Sequence, residues 1–230
     1  MSSKSLSECV YKLISPGYDI LDRTLFRGKE GNPREALSEM IPDKKCRVLD
    51  MCCGTGTNGL SIAMKRPKAT VVGLDRSQSM LRKARQKVIR HGLKNMKLIC
   101  RDAADTGFKD ELFDYVVIGL VLHECTPELW NSILSEAHRV LKKDGRLFVL
   151  DWDRQNTPGR RCIFAPMYLV ETLGTPRYFK EYYNSDKAKF FSAYGFMAEE
   201  NVKCRYSFVI SLKKTEAVEK DPYLKKTYSK

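Results

Sequence analysis

The sequence predicts an α/β protein: a seven-stranded, mostly parallel sheet with helices on both faces and an antiparallel hairpin at its C-terminal end. Three observations lead there. Five short apolar runs recur between residues 46 and 152, and strands that are covered on both faces carry such continuous runs. Amphipathic stretches of helical period lie between them, which implies right-handed crossovers. Two final apolar runs look like a closing hairpin.

The elements follow in order. Residues 5–14 carry Leu6, Val10, Leu13 and Ile14 at helical spacing. Ser5 and Glu8 make an S-x-x-E capping box at the start of that helix, and Pro16 and Gly17 stop it. The five strands are CRVLDMC (46–52), ATVVGLD (69–75), MKLICRD (96–102), FDYVVIGL (113–120) and RLFVLDW (146–152). One helix opens near Asn58, and a second spans about 77–91 before Gly92. A third, over 127–141, has Thr126 as N-cap and Pro127 at its first position. It sets Leu129, Trp130, Ile133, Leu134, Ala137, Val140 and Leu141 on one face. Asp144-Gly145 is expected to turn the chain into the fifth strand. Beyond Asp151 a Pro-, Gly- and Arg-rich segment runs to about Tyr183 without a clean period. A helix near 186–194 and apolar runs at 196–204 and 206–212 complete the fold. The expected organisation is an N-terminal helical cap (1–35), a main α/β domain (36–215) with an irregular insertion at 153–190, and a polar tail (216–230).

Composition excludes several classes. With 43% hydrophobic residues in 230, the chain can bury an ordinary core. Its longest apolar stretch, VVIGLVL, falls far short of the ~20 residues a membrane-spanning helix needs. The opening MSSKSLSECV has no apolar run behind it, so no secretory signal is read and a cytoplasmic location is expected. The formal charge of +13 suggests an anionic partner, nucleic acid or an anionic membrane surface, or simply solubility. Eight widely spaced cysteines offer no CxxC pair and no disulfide framework, so reduced thiols and no metal are expected.

The segment VLDMCCGTGTNGL joins the first strand to the first crossover helix. Gly54, Gly56 and Gly59 form G-x-G-x-x-G, which permits a tight turn and close approach of backbone to a ligand at a helix N-terminus. Asp75 ends the second strand 21 residues after Gly54, where a carboxylate can accept from ribose hydroxyls. A nucleoside cofactor on a Rossmann-like sheet follows. Asp50 indicates which one. A carboxylate beside the cradle repels a pyrophosphate but complements the ammonium and sulfonium charges of S-adenosylmethionine. Asp102 with Ala103, after the third strand, stands where a carboxylate can accept from an adenine amino group.

The blocks VLDMCCGTGTNG, VVGLDRSQSML, ICRDAAD, FDYVVIGLVLHE and EAHRVLKKDGRLFVLDW resemble the ordered motifs of class I S-adenosylmethionine-dependent methyltransferases. Within that class the CCGTG loop, the Tyr18-Asp19 pair and RVLKKDG are most similar to the ubiquinone/menaquinone-biosynthesis C-methyltransferases and their small-molecule relatives. YDILDRTLF lacks the Met-Asn that follows the Tyr-Asp pair in the quinone enzymes, and RLFVLDWDR lacks their Glu-x-Ser ending. The resemblance implies that Cys52, Gly54, Thr55 and Gly56 form the loop under the methionine part and that Asp50 orients its amino group. It further implies that Asp75 holds the ribose, Arg76 and Met80 flank the adenine, and Asp102 with Ala103 fixes the adenine edge. Gly119 would line the methyl-donor end, and Tyr18 would close over the cofactor.

Methyl transfer from a sulfonium needs alignment of donor and acceptor and no protein nucleophile. A general base helps with a hydroxyl, amine or phenolic carbon. His123 is the first candidate and Glu124 the second, with Asp151 at the end of the fifth strand pointing to the same edge. The acceptor expected is a small molecule or a lipid- or quinone-like compound, lined by aromatics of the 153–190 segment. Two alternatives stand beside it. One is an RNA methyltransferase using Arg82, Lys83, Arg85, Lys87 and Arg90 on a single helix. The other is an NAD-binding Rossmann protein in which Asp50 is incidental.

Overall fold

The computed structural model describes residues 31–174 and 176–215. The expected helix at 5–14, Tyr18 and the polar tail lie outside these. The strands β1 (Cys46–Met51), β2 (Ala69–Asp75), β3 (Met96–Cys100), β4 (Phe113–Gly119), β5 (Leu141–Trp152), β6 (Phe196–Lys203) and β7 (Ser207–Lys214) form one sheet. Its order is β3-β2-β1-β4-β5-β7-β6. β3, β2, β1, β4 and β5 are parallel, while β7 runs antiparallel to both β5 and β6. This is the expected sheet with its closing hairpin.

Successive strand residues point to opposite faces, and both faces are apolar. Leu49, Val116, Leu147 and Val149 belong to one buried cluster, and Val48, Val117, Phe148 and Leu150 to the other. Helices α1 (Pro33–Met40) and α2 (Thr57–Lys65) cover the second face through Leu37, Leu60, Ile62 and Ala63. Helix α3 (Gln78–Arg90) is capped by the Ser77 hydroxyl and buries Leu81 and Ala84. The first face is covered by α4 (Pro127–Val140), where Trp130 packs against Tyr178, Tyr182 and Phe190. Thr126 caps α4 as expected.

Four expectations are corrected. Leu129 is 40% exposed, because Trp130, Ile133, Leu134 and Ala137 already fill the buried stripe. β5 begins at Leu141, which pairs with Phe113, and Asp144-Gly145 lies at a register shift within the strand instead of a turn before it. β1 and β3 stop short, leaving Cys52 and Asp102 in the loops that follow. The segment after Asp151 is helical: α5 (Pro158–Gly174) and α6 (Pro176–Asn184) precede the short α7 (Lys187–Ser192). The buried residues do keep helical spacing, Phe164, Met167 and Glu171 in α5 and Phe179, Tyr182 and Tyr183 in α6, but Pro166 inside α5 breaks the pattern as a sequence.

Candidate active site

The strand order reverses at β1, between β2 and β4, and open α/β sheets leave a crevice beyond the carboxyl ends of the strands at such a point. The loop 52–56 lies there. Gly54 and Gly56 hold φ of 54° and 77°, the left-handed region where a side chain is disfavoured. Cys52 at φ 56° joins them, as does Leu120 at φ 56° after β4, so strained non-glycine backbone flanks the switch point on both strands. A Cβ on Gly56 would approach Ala84 Cβ to 3.0 Å, and one on Gly59 would meet Met96 Cε at 2.8 Å and Asp50 Oδ2 at 2.9 Å. The first turn of α2 therefore seats flush against Asp50.

Asp50 is fully buried. Its Oδ2 accepts the Gly59 N–H at 2.9 Å, while Oδ1 has no partner. Burial pushes its pKa up to about 7, with nearby Asp75 adding to the rise and Gly59 N–H and Arg34 opposing it. Asp75 Oδ2 accepts from Gly54 N–H at 2.7 Å, and Oδ1 from Ser77 N–H at 2.8 Å. Each oxygen keeps a second lone pair for a ligand hydroxyl. Asp102 is exposed and accepts from Ala104 N–H at 2.9 Å, beside the buried Ala103. Arg76 is exposed and Met80 half-buried at the start of α3. At Gly119 a Cβ would fall 2.2 Å from Asn58 Nδ2, so β4 ends tightly against α2.

A second cluster lies at the ends of β4 and β5. The 3₁₀ turn Leu122–Glu124 is pinned by the Trp130 indole, which donates to Leu122 carbonyl at 2.7 Å. That anchor presents His123, 2% exposed, to Asp151 on β5, with Nδ1 to Oδ1 at 2.5 Å. His123 Nε2 lies 3.7 Å from Glu124 Oε1 and 3.4 Å from Glu171 Oε2. Glu171, on α5, also accepts from the Trp152 indole at 3.3 Å. Burial lowers the His123 pKa, but Asp151 and Glu171 more than reverse this and raise it to about 10. Burial, reinforced by Glu171 and Asp151, holds the Glu124 carboxyl well above its usual range. The three residues expected at this edge thus converge, with the rings of Trp152 and Phe179 against His123 and Phe164, Met167 and Tyr183 packed behind those rings.

A family model described as Methyltransferase domain matches residues 48–145. A demethylmenaquinone methyltransferase of Listeria monocytogenes is 33% identical over 207 residues, which cover 87% of this chain and 86% of the relative. The chain belongs to the class I S-adenosylmethionine-dependent methyltransferase family. A SAM-dependent methyltransferase from Aquifex aeolicus shares the fold at TM-score 0.58 and 19% identity, over 89% of this chain and 96% of that one. So does the 1,6-didemethyltoxoflavin-N1-methyltransferase of Burkholderia thailandensis, solved with 1,6-didemethyltoxoflavin and S-adenosylhomocysteine. Its TM-score is 0.63 at 13% identity, covering 94% and 92% of the two chains.

The methyl donor of this methyltransferase is S-adenosylmethionine, and the first cluster fits it. An orphaned, buried carboxylate oxygen on Asp50 is costly unless a ligand donor reaches it, and the glycines beside it leave room for one. The seven cysteines among the described residues are free, and burial raises the pKa of Cys52, Cys53 and Cys125. None of these three is a ready thiolate.

Three site residues escaped the sequence reading. Lys87, named above only among the basic residues of one helix, donates from Nζ to Thr55 Oγ1 at 2.9 Å and Thr57 Oγ1 at 3.3 Å, tying α3 to the glycine loop. Arg34 Nε donates to Asn58 Oδ1 at 3.1 Å beneath Gly119. Glu171 had a readable signal, a lone carboxylate behind the apolar run MYLV. Without a period to place that run on a helix, nothing directed it at His123.

Proposed function

We propose that this methyltransferase acts on a small, apolar, ring-containing acceptor of the quinol class, held between the ends of β4 and β5 and the cover made by α5 and α6. The observation that carries the reading is the setting of His123: a charged cluster against the rings of Trp152 and Phe179, which Phe164 and Tyr183 back in turn. Such a wall suits a flat ring with an oxygen at its edge. The identity with a demethylmenaquinone methyltransferase over most of both chains supports the same acceptor class.

S-Adenosylmethionine supplies an activated methyl group on a sulfonium. In this reading Asp50 takes its amino group on Oδ1, and Cys52, Gly54, Thr55 and Gly56 pass under the methionine part. Asp75 holds the ribose, Arg76 and Met80 flank the adenine, and Asp102 with Ala103 takes its edge. Gly119 lines the donor end. His123, its Nδ1 held by Asp151, turns Nε2 toward the acceptor, and Glu124 is the second group placed to handle the acceptor's proton. An apolar acceptor is met at a bilayer. Exposed Ile163 and Leu169 on α5, with Arg160 and Arg161 on the same helix, support peripheral contact with an anionic membrane surface.

The test is incubation with methyl-labelled S-adenosylmethionine and, in separate reactions, a short-chain naphthoquinol lacking its ring methyl or total RNA. Label on a quinol ring carbon is expected. Label entering RNA while the quinol stays unlabelled overturns the acceptor assignment.

A further inference from the structure

We propose that His123, Glu124 and Glu171 form a binding site for one divalent transition-metal ion, with Asp151 holding the imidazole from behind. The ligand atoms of the three residues all lie within 4.8 Å of one another. The separations from His123 Nε2, 3.4 and 3.7 Å, lie at and just above the edge of a coordination tetrahedron. Ligands at metal distances of about 2.0–2.2 Å stand roughly 3.3–3.6 Å apart.

Two observations point the cluster at a cation. His123 Nε2 is buried and makes no hydrogen bond, although two carboxylates approach it. With Nδ1 committed to Asp151, Nε2 is the ring nitrogen left facing Glu124 and Glu171, and a bound ion would take the place of the proton there; a carboxylate behind a ligating histidine both orients the ring and raises its basicity. Asp151 and Glu171 are buried at this cluster, beside the rings of Trp152 and Phe179 that pack on His123, and carboxylate charge is expensive there. A divalent ion would lower that cost.

One nitrogen and two oxygens suit zinc, cobalt, iron or manganese better than calcium or magnesium, which prefer oxygen alone. Three protein ligands leave a coordination position open, the pattern of sites that bind a reactant and not of purely structural ones. This use of the open position rests on the methyltransferase reading: an acceptor oxygen would dock there on the ion, and His123 and Glu124 would then act on it through the ion instead of directly.

The test uses untagged full-length protein, stripped with chelator, in a Cys100→Ser/Cys162→Ser background that removes the exposed thiols. Co²⁺ is titrated and followed by visible d–d absorption and by metal analysis after desalting. S-Adenosylmethionine calorimetry on each sample reports the fold and the cofactor site. Uptake of one equivalent of Co²⁺ is expected, weakened at least tenfold in both Glu171→Gln and Glu124→Gln while cofactor affinity holds. Protein that binds S-adenosylmethionine yet takes up no Co²⁺ overturns the metal site and leaves the methyltransferase reading intact. Binding unchanged in both variants, or carrying thiolate-to-cobalt charge-transfer bands, also overturns it. Loss of S-adenosylmethionine binding in the unsubstituted protein would instead strike the cofactor reading.

Discussion

Replacing Asp50 by Asn tests the cofactor site from two sides. The carboxyl is fully buried, and its pKa stands at about 7 against an ordinary 3.8. At 1.36 kcal/mol for each tenfold in acidity, that difference is worth about 4 kcal/mol. Between pH 4 and pH 7 the unfolded chain has released this proton while the folded chain still holds it. Stability therefore falls as pH rises through that window, by up to about 4 kcal/mol at pH 8. Asn carries no charge at any pH and removes the slope. Its Oδ1 can still accept from Gly59, but its Nδ2 replaces the orphaned oxygen with an orphaned donor, at about 1–3 kcal/mol. The net expectation at pH 8 is a variant more stable than the parent by about 1–3 kcal/mol in urea unfolding.

In the proposed cofactor pose the same change would remove a charge-assisted bond to the cofactor's amino group, about 1.5–3 kcal/mol, or roughly 10- to 100-fold in affinity. Because the bond needs the ionised carboxyl, affinity of the parent for S-adenosylmethionine should decline with each pH unit below about 7, while that of the variant stays flat. Calorimetry at pH 5, 6, 7 and 8 reads both. Unchanged affinity in Asp50→Asn, or a stability slope that survives the substitution, would refute the reasoning.

Glu136 accepts from Thr106 N–H at 2.9 Å and Arg139 Nε at 2.8 Å; despite burial, those bonds hold its pKa down to about 2 from 4.5. The resulting stability, about 3 kcal/mol, is present above pH 4.5 and is lost as pH falls toward 2. Glu136→Gln should cost that amount in urea unfolding at pH 7, with the gap closing on acidification. Gly59→Ala should lose about 1–3 kcal/mol by overpacking against Met96 and Asp50 and raise KM for S-adenosylmethionine; unchanged thermal unfolding would count against the flush seating of α2. Lys87→Met keeps the aliphatic stem and removes two donors to the glycine loop. A severalfold rise in cofactor KM with kcat nearly unchanged is expected, and a purely kcat effect would contradict a loop-holding role.

What could be read without coordinates follows from how local each signal is. The five parallel strands and α2 to α4 announce themselves because burial on both faces makes a continuous apolar run, and because Thr126-Pro127 and Ser77 state their caps within a few residues. Asp50, Asp75 and the glycines could be proposed as a site for the same reason: they lie at two strand ends and in one short turn, where Gly54 and Gly56 take the left-handed φ of 54° and 77° that favours glycine. The other half of the site could not. α5 and α6 each bury one stripe, Phe164 with Met167 and Phe179 with Tyr182 and Tyr183, but Pro166 interrupts the first in the sequence and each stripe is short. Glu171 then gains its meaning from His123, on a turn pinned by the nearby Trp130 indole. The link from Glu171 to His123 joins residues distant in the chain.

The excess of basic side chains and the chemistry of the site pull in different directions. Arg82, Arg85 and Arg90 are exposed on α3, and Lys87 of the same helix turns into the glycine loop. The crevice itself gathers Asp50 and Asp75 on one side and Asp151, Glu124 and Glu171 on the other. A phosphodiester brought to that edge would meet like charge at a few ångströms. Each such pair costs about 1 kcal/mol in water and about 4 kcal/mol at the effective dielectric of a protein surface. A polyanion can therefore settle on the outer face of α3 without its reactive group reaching the donor end. On the proposed reading a neutral ring carrying one oxygen meets no such repulsion, and its oxygen can approach the His123 imidazole. The same reading separates two uses of charge: the basic outer surface would bear on what the protein meets, and the carboxylates around His123 on what it can methylate.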